Sequence, residues 1–200
     1  ITSFKDLEGK KVGTIPGIQW ETILSYVLKQ NGLEPGRNVT IEQMAVGLHL
    51  PSVVSGAVDA TLSLEPIGSI AEATEQGKRA MTTPVSKFIS DPFYSGAAVL
   101  TSKFLTDRPE VAKKVVQVID EATRIANEDF DSVRPIISEF TALEPEQAAY
   151  VAQPLLKRFD DLDETDLDSY QKFINVFVDE EVLDKEMISK ELVLDKSELS

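Results

Sequence analysis

The chain has 200 residues, 42% of them hydrophobic, and a formal charge of −14, which allows one sizeable core or two small lobes and argues against nucleic acid, whose phosphates need clustered Lys and Arg. The absence of cysteine excludes disulfides, zinc–thiolate sites and thiol nucleophiles together. No apolar run approaches the ~18 residues of a membrane-spanning helix, so membrane association is expected only through a partner.

Lys11 to Ile15 reads as a strand. From about Gln19 the apolar positions Ile23, Leu24, Val27 and Leu28 follow a helical period up to Asn31-Gly32, a C-terminal stop. Between them lies the turn Pro16 to Trp20, which is expected to point backbone N–H groups at a ligand, because helix N-termini carry unsatisfied donors. Val39 to Met44 alternates as a strand, Leu50 to Ser55 reads as a short helix closed by Gly56, and Asp59 to Leu64 is again strand-like. A helix is expected to open at Glu65-Pro66 and run to Gly77, followed by a strand over Ala80 to Val85. Strands alternating with helices predict an α/β unit built on a mainly parallel sheet covered on both faces.

After Ser90-Asp91-Pro92 the pattern and the charge change together. Residues 1–93 hold 10 acids and 8 bases, whereas residues 94–200 hold 24 and 12. Gly96 to Thr101 reads as one apolar strand and the remainder as helical. Pro109 starts a helix in which Val111, Val115, Val118, Ala122 and Ile125 mark one stripe expected to be buried. Ser132 to Phe140, Glu144 to Ala152 and Thr165 to Val178 read as three more helices. The acidic run DDLDETDLD at 160–168 lacks the glycine and closing Glu of a calcium loop and reads as a solvated segment favourable to a helix start. No metal or cofactor is expected.

Three blocks in order, FKDLEGKKVGTIPG from residue 4, LPSVVSGAVDATLSLEP from residue 50 and FYSGAAVLTSKFLTDRPEVAKKVVQVIDEA from residue 93, resemble the periplasmic solute-binding proteins of the sulfonate, taurine and nitrate group. That group includes relatives that bind thiamine-pyrimidine precursors. The resemblance implies a two-lobed, type II periplasmic-binding fold with a ligand between the lobes. Residues 3–92 would form the second lobe, and residues 93–200 a crossover strand and helices returning to the first. It also implies delivery to an ABC permease and its ATPase in trans, and a periplasmic or cell-surface lipoprotein location. The family's opening segment has no counterpart here and the chain starts at Ile1, so a processed or truncated start is expected, with a second copy or swapped elements covering the apolar face left open.

The site residues that follow are Gly17, Ile18, Gln19 and Trp20 in the turn, Glu65 and Pro66 at the next helix start, and Asp91, Phe93 and Tyr94 at the crossover. The turn departs from the small hydroxyl residues usual in the group, and Glu21 in the first helical turn competes with any anion for the same dipole. Trp20 fits either a ligand platform or a partly buried residue at the lobe edge. Glu65-Pro66 reads first as a helix start, and Asp91, Phe93 and Tyr94 as a hinge with Tyr94 the best ligand contact. His49, the single histidine, reads as a packing residue. A solute-binding subunit is therefore expected, with a ligand-sensing domain or a pyrimidine-synthesis enzyme on the same fold as the alternatives; the histidine- and cysteine-dependent chemistry of that enzyme finds one His and no Cys here.

Overall fold

The computed structural model describes residues 1–141, 143–185 and 187–195. Its centre is a three-stranded parallel sheet in the order β2-β1-β3: β1 (Lys10–Thr14) pairs with β2 (Val39–Gln43), Lys10 facing Val39 and Thr14 facing Gln43, and with β3 (Ala60–Thr61), Gly13 facing Thr61. The helix α1 (Ile18–Gln30) returns the chain from β1 towards β2, the crossover that parallel strands require. Val12 of β1, Val39 of β2 and Leu24 and Leu28 of α1 join Leu7 and Leu33 in one buried cluster. Asn31 caps α1, as its Asn-Gly sequence predicts.

The sheet is tight at its middle. A Cβ at Gly13 would lie 2.9 Å from Thr61 Cγ2 and 3.1 Å from Met44 Cε, so a side chain there would push against β3 and the residue after β2. Helix α2 (His49–Ser55) ends at Gly56 in the left-handed conformation, as its sequence predicts. His49 is fully buried, with Nδ1 2.9 Å from Ser63 Oγ and Nε2 3.1 Å from the Met44 carbonyl. Burial holds its pKa below the ordinary imidazole value.

Elsewhere the elements are shorter than the pattern suggests. β3 keeps only two of the six strand-like residues, although Asp59 N–H and Leu62 N–H extend the ladder to the Lys11 and Gly13 carbonyls at 2.9 Å each. α3 spans Ile67–Ala73, with Pro66 just before it. No strand forms over Ala80 to Val85: residues 80–83 are bend and irregular chain, and Pro84 and Val85 already belong to α4 (Pro84–Phe88). Gly96 to Thr101 likewise runs without secondary structure, with Val99 87% exposed. Each is apolar enough for a strand, but a strand needs a neighbour to pair its backbone groups, and neither has one among the described residues.

The second half is helical: α5 (Ser102–Asp107), α6 (Pro109–Glu128), α7 (Phe130–Phe140), α8 (Pro145–Ala148), α9 (Glu164–Asp179) and α10 (Ser189–Leu192). The stripe expected to be buried on α6 faces solvent: Val111, Val118 and Ile125 are exposed, and Ala112 and Asp120 are the buried positions. The neighbours of α6, which are α5, α7 and the turn at Phe159–Asp161, lie against the adjoining face. The acidic run does start a helix: Asp163 caps α9 by accepting from Thr165 N–H at 2.8 Å and Asp166 N–H at 3.2 Å. α9 packs against α1, with Lys29 Nζ 2.7 Å from Glu180 Oε2 just beyond its end. No helix among the described residues is long and apolar enough to cross a membrane.

Leu28 is fully buried where α1 meets the sheet. Leu28→Ala should therefore destabilise the fold by about 2–5 kcal/mol, read as a lower urea midpoint. An unchanged midpoint would mean that α1 does not hold the core.

Candidate functional site

Parallel pairing sends the carboxyl ends of β1, β2 and β3 to one edge of the sheet, the edge at which open α/β folds take ligands. Three short segments meet the edge there: the turn after β1, Gln43 at the end of β2 with Met44 after it, and the stretch to Glu65 after β3.

Gly17 makes the turn possible. Its φ of 116° and ψ of 154° belong to a region open essentially to glycine alone, although the space around it would admit a Cβ. Gly17 N–H donates to Gln43 Oε1 at 3.0 Å, and Gln43 Nε2 donates to Glu21 Oε2 at 2.5 Å. One amide side chain thus ties the first residue of the turn to a carboxylate in the first turn of α1. Ile18 is 61% exposed, and Gln19 and Trp20 are half-buried.

Glu65 lies at the same edge but its carboxylate is taken. It accepts from Ser69 Oγ at 2.8 Å and from the Arg79 guanidinium, which also pairs with Glu72 at 3.1 Å. Pro66 is buried beneath.

Two of the residues expected at the crossover, Phe93 and Tyr94, are held by α9. Phe93 meets the Phe173 ring edge-to-face at 5.1 Å, and Tyr94 OH donates to Asp166 Oδ1 at 2.8 Å. Asp166, 4% exposed, is also 2.8 Å from Lys157 Nζ and accepts the Asp163 N–H at 3.0 Å. Burial pushes the Asp166 carboxyl up, but these three donors together hold it below the ordinary range. Burial and the bond to Asp166 raise the Tyr94 phenol to about 12. The cavity beside Phe93 and Tyr94, lined also by Ser90, Pro92, Ser169 and Phe173, measures about 10 Å³, room for one water. Asp91 is exposed. The structure thus gathers the turn and Glu65 at the sheet edge and holds Phe93 and Tyr94 on α9.

Sequence reasoning missed Gln43, Arg79 and Asp166. Gln43 had a usable signal, since it ends β2 and the parallel register sets it level with Thr14, two residues before Pro16. The partners of Arg79 and Asp166 are distant in sequence, 14 residues for Glu65 and 72 for Tyr94, and no local pattern announces them.

The family model described as NMT1/THI5 like matches residues 1–131. No curated protein matches the chain. Among solved structures, the chain is similar to the alkanesulfonate-binding protein SsuA from Xanthomonas axonopodis pv. citri bound to MOPS, with a TM-score of 0.67, 16% identity, and coverage of 97% of this chain and 65% of that one. The periplasmic aliphatic sulphonate binding protein SsuA from Escherichia coli gives 0.68, 15%, 98% and 62%. The ligand binding component of an ABC-type import system from Staphylococcus aureus with zinc bound gives 0.68, 18%, 96% and 63%. At these identities the likeness establishes the fold, that of periplasmic binding proteins, and the chain spans less than two thirds of the length of each.

The Tyr94–Asp166 bond makes stability depend on alkaline pH. A phenol whose pKa is raised by folding contributes stability that is complete below pH 10, its unfolded value, and is lost as pH rises towards about 12. Tyr94→Phe should cost about 1–2 kcal/mol at neutral pH and flatten the decline between pH 10 and 12. Denaturant titrations across that window check this, and parallel declines for the two proteins would contradict it.

Proposed function

The chain belongs to the NMT1/THI5-like family, and on that premise we propose that it is an extracytoplasmic solute-binding component that holds a small molecule at the carboxyl edge of its parallel sheet. In this reading it delivers the solute to an ABC-type permease and ATPase in trans, from the periplasm or as a cell-surface lipoprotein, and is not an enzyme. The carrying observation is the turn Gly17–Trp20, set by a glycine-only conformation at the edge where three parallel strands end. The likeness in fold to SsuA proteins and to an ABC-type import component supports the same role. The single histidine is fully buried with both ring nitrogens engaged, which favours binding over acid–base chemistry.

The proposed contacts are the turn residues Gly17, Ile18, Gln19 and Trp20, with Glu65 and Pro66 across the edge. Residues 3–92 are proposed as one lobe and residues from 93 onward as the returning segment. Asp91, Phe93 and Tyr94 lie between them, Tyr94 as hinge contact rather than ligand platform because its hydroxyl is bound by Asp166. The open Val111, Val118 and Ile125 face of α6 supports a second copy as partner, since monomers rarely leave a large apolar face in water.

Two measurements test this. A thermal-shift screen against sulfonates, nitrate, bicarbonate, pyrimidines and aromatic acids should find a solute that raises the melting temperature, because binding to the native state stabilises it. Trp20→Ala should then weaken a planar solute by about 1 kcal/mol, and an unchanged affinity would make Trp20 a packing residue. Light scattering should give twice the 22.0 kDa chain mass, and a monomer would remove the second copy from the proposal.

A further inference from the structure

We infer that the second copy docks through α6 itself, the two α6 helices lying antiparallel along a seam of Val111, Val115, Val118, Ala122 and Ile125. The inference rests on the second copy proposed above and adds its interface and its direction.

The five seam residues are spaced 4, 3, 4 and 3 positions apart, which is the alternation of a and d positions in a heptad repeat. A helix packed on a globular core shows a broader apolar face, whereas this spacing draws a narrow line that one other helix can cover. The line is open: Val118 is 69% exposed, Val111 47% and Ile125 40%, and none of the five is buried.

The residues on its two flanks select the occupant and its direction. Lys114, Glu121 and Glu128 recur every seven residues along one flank, and Ala112, Ile119 and Ala126 along the other. Lys114 is exposed and has no ion-pair partner among the described residues. Glu121 and Glu128 share the single guanidinium of Arg124, so that end of the charged flank keeps a net negative charge. In a parallel pair of α6 helices the charged flank would meet the uncharged one. In an antiparallel pair each flank meets its own reverse, so Lys114 of each copy faces the Glu121–Glu128 end of the other, and Ile119, 41% exposed, lies on a flank that meets only apolar side chains. A second α6 run in reverse therefore complements this face in both charge and apolar character.

The test combines light scattering with chemical cross-linking of the full chain, whose lack of cysteine lets single cysteines report neighbours without background. Val118→Lys should yield a monomer whose urea midpoint matches that of dilute wild type, because the side chain is open in the single chain. Lys114→Glu should weaken association about tenfold, by loss of two symmetric ion pairs. In an antiparallel pair centred on Val118, the two Val111 positions lie about 21 Å apart along the axis. Val111→Cys and Ile125→Cys, treated with a short bismaleimide, should therefore each stay unlinked alone and link when mixed and allowed to exchange. A wild type that stays monomeric at every concentration would overturn the second copy together with this interface and leave the solute-binding role standing. A dimer that survives Val118→Lys would put the second copy on another face and overturn the interface alone. Self-linking of Val111→Cys, in a dimer that Val118→Lys abolishes, would make the pair parallel and overturn the direction.

Discussion

The structure depends on β1 lying between two parallel partners. Its backbone is paired on both sides, Val12 joins Leu24 and Leu28 in the core, and Gly13 lets Thr61 and Met44 close in. Because parallel strands must be rejoined by a crossover, the chain returns through α1 between β1 and β2 and through the segment holding α2 between β2 and β3, so each strand ends at the same edge. The alignment of the turn after β1 with Gln43 and with the approach to Glu65 is a consequence of that pairing. That edge is thus assembled by backbone geometry before any side chain at it contributes.

Side chains then decide what the edge can do. Gln43 spans the turn and the first turn of α1, and Arg79 draws Glu65, Ser69 and Glu72 into one cluster. His49 fastens α2 to Met44 and Ser63, between the ends of β2 and β3. These polar side chains near the edge are thus largely occupied by one another.

The helical half is held in another way. Buried carboxylates stand where an apolar core is usual: Asp166 gathers Tyr94, Lys157 and the Asp163 N–H, and Asp120 accepts the Phe159 N–H at 2.7 Å with Arg158 beside it at 3.6 Å. Such sites are stable only while their donors stay in place, since an unpaired buried charge costs several kcal/mol. The valine stripe of α6, which the period marks as a packing face, meanwhile lies open.

By itself the sequence determined local order: the glycine turn, the helix ending at Asn31 and the stop at Gly56 in the first half, and the helix start within the acidic run in the second. These are properties of a few neighbouring residues, whose backbone preferences and caps act at short range. It also carried the ordered blocks that mark the family. Only the tertiary structure decided the rest. Ala80 to Val85 and Gly96 to Thr101 have the composition of strands, yet a strand exists only where another backbone completes its hydrogen bonds. The α6 stripe has the period of a buried face, yet burial needs a surface to bury against. The bonds of Gln43 to Gly17 and Glu21, and of Asp166 to Tyr94, join residues 22 to 72 positions apart. Their charge balance is a property of the folded arrangement, because no short stretch of sequence contains both partners.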